Sequence, residues 1–234
     1  MTIRAILFDK DGTLIDVNAT WIPIYREMFM DIFATDIAGA EALMAKAGYD
    51  KAAERFRAGS ILAGGTTRQL VGVLWPEIGD EAAAQKVHLL DRGYTHLVND
   101  RLIQLMPLAP ILSELRAMGL KLGIGTNDNH LSAIAQMTAL GVMEHFEDII
   151  AADTVPVPKP SGDMIKSFAA ITGLPPSAIA MVGDNHHDME EARNGGAGLA
   201  VAVLSGNAAH ADIAHLADHT LDSIAELPAL LRSL

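Results

Sequence analysis

The heptapeptide Phe8-Asp9-Lys10-Asp11-Gly12-Thr13-Leu14 places two carboxylates around a lysine, directly behind the apolar run Ile3-Arg4-Ala5-Ile6-Leu7-Phe8. Residues two apart on a strand point the same way, so Asp9 and Asp11 can face one ligand as a nucleophile and a proton donor. A hairpin fits the same letters, because Asp-Gly between apolar runs is a strong two-residue turn signal. A calcium loop fits less well: counted from Asp9, Gly12 falls at the fourth place rather than the sixth, and Thr20 stands where the closing Glu belongs.

Three more polar stretches close apolar runs. Gly125-Thr126-Asn127-Asp128 offers a hydroxyl and backbone N–H groups, either a phosphate seat at a helix start or an ordinary N-cap. Val157-Pro158-Lys159-Pro160 stiffens the chain around one lysine and fixes where its ammonium points, unless it is simply a solvated loop. Gly183-Asp184-Asn185-His186-His187-Asp188 carries two acids four residues apart, on one face if a helix starts there. Such a pair suits a hard cation such as Mg²⁺, and a capped helix with a charged first turn is the alternative. Adjacent helical residues point about 100° apart, so His186 and His187 do not converge on a zinc ion.

These stretches need a scaffold. Near-continuous apolar runs at 3–8, 121–125, 148–152, 178–182 and 199–204 indicate strands buried on both faces, as in a parallel sheet covered by helices. From residue 108 strand and helix alternate, which predicts right-handed βαβ units in a doubly wound α/β sheet. The interval between the first two strands is helical instead, with helix spacing over 19–34, 38–47, 51–58, 67–74 and 81–98. That is too long for a crossover connection. The expected organisation is a Rossmann-like core of 1–17 and 107–234, with 18–106 inserted as an all-helical cap.

With 234 residues, half of them hydrophobic, the chain can bury a full core. A net charge of −12 argues against a nucleic-acid partner. The absence of Cys excludes disulfides and thiolate metal sites. Neither a signal segment nor an apolar run long enough to cross a bilayer is evident, so a cytoplasmic protein with no membrane partner is expected, as monomer or homodimer.

The four stretches all fall at the carboxyl ends of strands in one sheet, where doubly wound folds bind ligands. There they supply an acid pair, a hydroxyl with amides, a fixed cation and a metal-binding acid pair, the parts that phosphoryl transfer needs.

At this point the chain resembles the haloacid dehalogenase superfamily. Phe8 to Leu14 is similar to its first motif, Gly125-Thr126-Asn127 to its second, Lys159-Pro160 to its third and Gly183-Asp184 through Asp188 to its fourth. Glu191 to Gly198 resembles the segment that follows. The helical insert stands where the phosphoglycolate-phosphatase-like and phosphoglucomutase-like branch carries its cap. One departure is Gly162, where that family often has proline.

The resemblance implies that Asp9 attacks phosphorus to give an aspartyl-phosphate and that Asp11 is the acid and then the base. It implies that Thr126 and amides near Asp11, Gly12 and Asn127 hold the phosphoryl oxygens, with Lys159 neutralising charge. Mg²⁺ is expected on Asp9, the Asp11 carbonyl and Asp184, with Asp188 direct or through water. The segment 58–68 is expected to reach the site, with Arg57 and Arg68 as candidate ligands for a substrate carboxylate or second phosphate, and Trp21 as a candidate pocket wall. The expected activity is hydrolysis of a small phosphorylated metabolite, phosphoglycolate-like or a sugar phosphate. A phosphomutase would use the same residues, and a phosphonate-cleaving enzyme would need a cap lysine, for which Lys46 and Lys51 are available.

Overall fold

The computed structural model describes residues 2–98 and 100–234. Strand β1 (Ala5–Phe8) is buried along its whole length and leads into the first polar turn. The insert begins with helix α1 (Val17–Phe33), whose start is set by the Asp16 carboxylate accepting the amides of Asn18 and Ala19 at 3.0 and 2.9 Å. Next come α2 (Ile37–Lys46), strands β2 (Tyr49–Asp50) and β3 (Arg55–Phe56), the single turn α3 (Ile61–Gly64), α4 (Thr67–Leu74) and α5 (Asp80–Val98). These elements close on a core of their own, with Ile24, Phe29, Met44, Phe56 and Leu90 at its centre.

The helix expected over 51–58 is absent. The Asp50 carboxylate accepts the amides of Ala52 and Ala53 at 3.0 and 3.2 Å, which offers the backbone an alternative to a helical ladder. The chain turns instead and pairs Tyr49 with Phe56 in a two-stranded hairpin, so the insert is helical but for this ribbon. The outgoing and returning segments are tied together: Asp16 N–H donates to Ile103 O at 2.8 Å and Leu105 N–H to Leu14 O at 3.2 Å.

The return leads through α6 (Leu108–Ala117), β4 (Lys121–Thr126), α7 (His130–Ala139), β5 (Asp148–Ala151), α8 (Asp163–Thr172), β6 (Ile179–Gly183) and α9 (His186–Gly195). Then follow β7 (Leu199–Val203), α10 (His210–Ile213), β8 (His219–Leu221) and α11 (Leu227–Ser233). The sheet has six strands in the order β5-β4-β1-β6-β7-β8, and every pairing is parallel. Because β1 pairs in parallel on both edges, Asp-Gly at 11–12 is not a hairpin turn. Successive side chains of β1 point to opposite faces. Ile6 and Phe8 join one cluster with Leu112, Met137 and Leu227, while Ala5 and Leu7 join another with Phe168 and Met189.

Strand β8 was not expected. It is a three-residue edge strand with only intermediate burial, so it presents no apolar run. No helix among the described residues is long and apolar enough to cross a membrane.

Candidate active site

The site lies where β1 has neighbours on both sides. Asp9 N–H donates to Val182 O at 2.8 Å, so the first carboxylate leaves the sheet at the level where β6 ends. Carboxylate oxygens of Asp9, Asp184 and Asp188 lie within 4.8 Å of one another, all three buried. Lys159, from the loop after β5, puts its ammonium 2.6 Å from Asp9 Oδ1 and 2.6 Å from Asp188 Oδ1. Each acid is held from behind as well: Asp188 Oδ2 accepts Asn185 N–H at 3.0 Å, and Asp184 Oδ2 accepts Asn207 N–H at 3.2 Å.

Three carboxylates and one ammonium leave this corner two charges negative, and the titration shifts follow. Burial pushes the Asp9 carboxyl up to about 6, against the pull of Lys159 and with the repulsion of Asp188. Burial, then Asp9 and Asp188, drives Asp184 well above the usual carboxylate range. Burial opposes the charge on Lys159, but Asp188 and Asp9 outweigh it and hold the ammonium above its ordinary value. His187 is pushed down to about 3, first by burial and then by Lys159, so its imidazole is neutral. An oxygen-only donor set with this excess charge fits a hard divalent cation. Gly12, at φ +89°, fits it too: a Cβ there would stand 2.5 Å from the Asp184 carboxyl carbon.

A second buried lysine stands on the other side of β1. Lys10 Nζ is 2.5 Å from Asp11 Oδ2, 2.6 Å from Gln136 Oε1 and 3.4 Å from Asp128 Oδ2. Burial again opposes its charge, yet Asp11 and Asp128 outweigh it and hold the ammonium above its ordinary value. Trp21 Nε1–H donates to the other Asp11 oxygen at 2.5 Å, so both oxygens of this carboxylate accept hydrogen bonds. Lys10 carries no sequence signal for this role: Asp9 and Asp11 flank it directly, as they would flank a solvated lysine, and its partners Asp128 and Gln136 lie more than a hundred residues along.

Thr126 ends β4, buried, its hydroxyl accepting the Asp128 amide at 3.1 Å. The Asn127 side chain accepts Lys159 N–H at 3.1 Å and donates to Gly64 O at 2.9 Å, joining the loop after β4 to the lysine loop and to the insert. Gly64 lies against the fourth motif, for a Cβ there would meet His187 Cε1 at 2.2 Å. The adjacent histidines thus form a seat for the insert, and among the described residues neither joins a cluster of potential metal ligands. Arg55 adds a further tie, donating to Asn207 O at 2.9 Å.

Between insert and core lies a cavity of about 60 Å³, lined below by Asp9, Asp11, Thr126, Asn127 and Asp128 and above by Trp21, Tyr25, Leu70, Tyr94 and the segment 61–67. The segment expected to reach the site therefore does so. Its flanking arginines do not line the cavity: Arg57 is exposed, and Arg68 is exposed and paired with Asp80 at 2.5 Å. Both sit where the segment turns back towards solvent. Lys46 and Lys51 are likewise exposed and outside the lining, Lys51 pairing with Glu41 at 2.8 Å.

Gly12 corrects the expectation of an amide free for phosphate. Its N–H donates to Ile15 O at 2.8 Å, closing the turn, so its contribution is the space it leaves for Asp184. Gly162, the departure from the family pattern, has its own reason. It sits at φ +88°, and a Cβ would meet the Asn194 carbonyl carbon at 2.4 Å. Its amide donates to Glu191 Oε2 at 2.6 Å, while Glu191 Oε1 accepts Met164 and Ile165 N–H at 2.9 and 3.1 Å. One buried carboxylate thereby caps α8 and joins the third motif to the helix of the fourth.

A family profile described as haloacid dehalogenase-like hydrolase matches residues 3–196. The chain belongs to the haloacid dehalogenase-like hydrolases. A relative from Chromobacterium violaceum named phosphoglycolate phosphatase is 31% identical, across 99% of this chain and 97% of its own. Among solved structures, a hydrolase from Pseudomonas syringae is similar with a TM-score of 0.70 at 22% identity, covering 99% of each chain. A beta-phosphoglucomutase from Clostridium difficile is similar with a TM-score of 0.70 at 16% identity, covering 97% of this chain and 93% of that one. Likeness at these identities is likeness of fold.

Proposed function

We propose that this hydrolase is a Mg²⁺-dependent phosphatase of small phosphate monoesters, working through a phosphorylated Asp9. The observation that carries the reading is Lys159 bridging Asp9 and Asp188 beside Asp184. In this reading residues 18–106 act as the cap over a core of 1–17 and 107–234, and Asp9, Asp184, Asp188 and the Asp11 carbonyl hold the ion. Bound there, Mg²⁺ would offset the excess negative charge and draw a phosphoryl oxygen into place.

The chain's own groups supply the remainder. Lys159 keeps Asp9 ionised and aimed, because its ammonium holds Oδ1 at 2.6 Å. Asp9 attacks phosphorus, the ester P–O bond breaks, and the leaving oxygen takes a proton from Asp11. Asp11 then removes a proton from water as that water attacks the phosphoryl group, releasing phosphate and restoring Asp9. Thr126 Oγ, whose lone pair is used by the Asp128 amide, still has its own proton for a phosphoryl oxygen. The insert excludes bulk water while Gly64 stays bonded to Asn127.

Phosphate release from a panel of small esters, with Mg²⁺ and then with EDTA, tests the reading. Mg²⁺-dependent release is expected. No release, with phosphoryl transfer to a sugar phosphate instead, would make the protein a mutase.

A further inference from the structure

The cavity of about 60 Å³ lies over Asp9 and Asp11, and the wall facing away from them has an unusual chemistry. Trp21, Tyr25 and Tyr94 form it, with ring centroids 5.4 to 5.7 Å apart, completed by Leu70, Thr66 and Thr67. Among the described residues no lysine or arginine lines the cavity. The two nearest ammonium groups are committed, Lys10 to Asp11 and Asp128, Lys159 to Asp9 and Asp188. Four arginines of the insert are engaged elsewhere, Arg26 with Glu41 and the Tyr49 hydroxyl, Arg55 with Asn207, Arg68 with Asp80 and Arg101 with Glu27, while Arg57 and Arg92 are exposed and outside the lining. His187 stands on the phosphoryl side, its Nε2 3.7 Å from Asp188.

The floor adds charge of the wrong sign for an acidic substrate, since Asp11 and Asp128 both line the cavity. A carboxylate carried by the leaving group would lose its water beside two acids and gain no cation in return. A hydroxyl meets better partners. The Tyr94 and Tyr25 hydroxyls meet across the wall, and among the described residues Tyr94 Oη, in a side chain 3% exposed, has no further partner. The indole N–H is spent on Asp11, so Trp21 offers the leaving group its face alone.

We infer that the cavity selects the phosphate ester of a small uncharged, hydroxyl-bearing alcohol and discriminates against esters whose leaving group carries a carboxylate. Tyr94 and Tyr25 set that preference, with Thr67 beside them in the lining, its hydroxyl donated to Asp91 Oδ1 at 2.8 Å. The inference rests on the phosphatase reading and departs from the substrate named for the curated relative.

The test is a matched pair on the wild-type protein with Mg²⁺: 2-hydroxyethyl phosphate against 2-phosphoglycolate, which differ only in CH₂OH for COO⁻, with acetyl phosphate as the indifferent reference. Expected is a kcat/KM for the hydroxyethyl ester about tenfold or more above that for phosphoglycolate. Thr67→Arg, which brings a guanidinium to the lining, should narrow that ratio. Equal rates, or a preference for phosphoglycolate, overturn the inference and leave the phosphatase standing. A ratio unmoved by Thr67→Arg places the selectivity elsewhere and overturns the assignment. No phosphate from either ester or from acetyl phosphate overturns the phosphatase reading and the inference with it.

Discussion

Two buried lysines flank the end of β1, each between two aspartates, and the corners they hold differ in what is left over. At Lys159 a third carboxylate, Asp184, is added and among the described residues no neutral side chain hydrogen-bonds the lysine's two partners, so the corner is left with negative charge to spare. At Lys10 the acids are two, and the uncharged side chains of Trp21 and Gln136 add hydrogen bonds, Gln136 Nε2–H donating to Asp128 Oδ2 at 3.0 Å. The first corner is built to accept one more cation; the second is already closed. In the proposed function the same side-chain chemistry therefore serves a reacting centre in one place and a positioning frame for Asp11 in the other.

Asp9→Asn should have the largest effect, cutting turnover by about 10⁴-fold or more with the far-UV spectrum unchanged, because the nucleophile is lost at nearly constant volume. Next come Lys159→Met and Lys10→Met, each expected to cost about 3–5 kcal/mol in denaturant melts by leaving buried carboxylates without their ammonium. Mg²⁺ separates the two. It should restore part of the midpoint of the Lys159 variant, whose exposed acids are the proposed ligands, and leave the deficit of the Lys10 variant, relative to wild type at the same Mg²⁺, unchanged.

Trp21→Phe removes one charge-assisted hydrogen bond to Asp11, and kcat should fall by about tenfold or more while KM moves little. The smallest effect belongs to a cation–carboxylate pair without burial. Arg193 pairs with Asp218 at the surface at 2.9 Å and holds the Asp218 carboxyl below its ordinary range. A depressed carboxyl pKa stabilises the fold above the unfolded value of 3.8, and the gain is lost as pH falls through the folded value. Asp218→Asn should accordingly cost no more than about 1 kcal/mol at pH 7 and progressively less as pH falls below 3.8, in thermal melts across that range.

Legibility in the sequence divides along the same line as the two corners. Asp9, Lys159, Asp184 and Asp188 sit in short polar stretches behind apolar runs, and a parallel sheet brings every such stretch to one edge, so local pattern plus topology was enough. Lys10 is different, because its partners Asp128 and Gln136 arrive from the loop after β4 and from α7, more than a hundred residues along, and no spacing rule links them. Helices with strong apolar spacing, such as 67–74, matched the structure, whereas Asp50 diverted 51–58 into a hairpin through a local hydrogen bond. Arg57 and Arg68 looked available as cations, but helix and turn geometry decides where a side chain points, and both face solvent.

Phosphorylation of Asp9 is the claim on which the division between the corners depends. The most direct measurement is the acid-quenched mass of Asp11→Asn after exposure to acetyl phosphate and Mg²⁺, with peptide mapping and Asp9→Asn as control. Acetate leaves without a proton, so the first step should survive in this variant while water attack, lacking its base, is slow. One added phosphoryl group on the peptide carrying Asp9, absent from Asp9→Asn, is predicted. Phosphate release with no such adduct, or an equal adduct in the Asp9 variant, would contradict it.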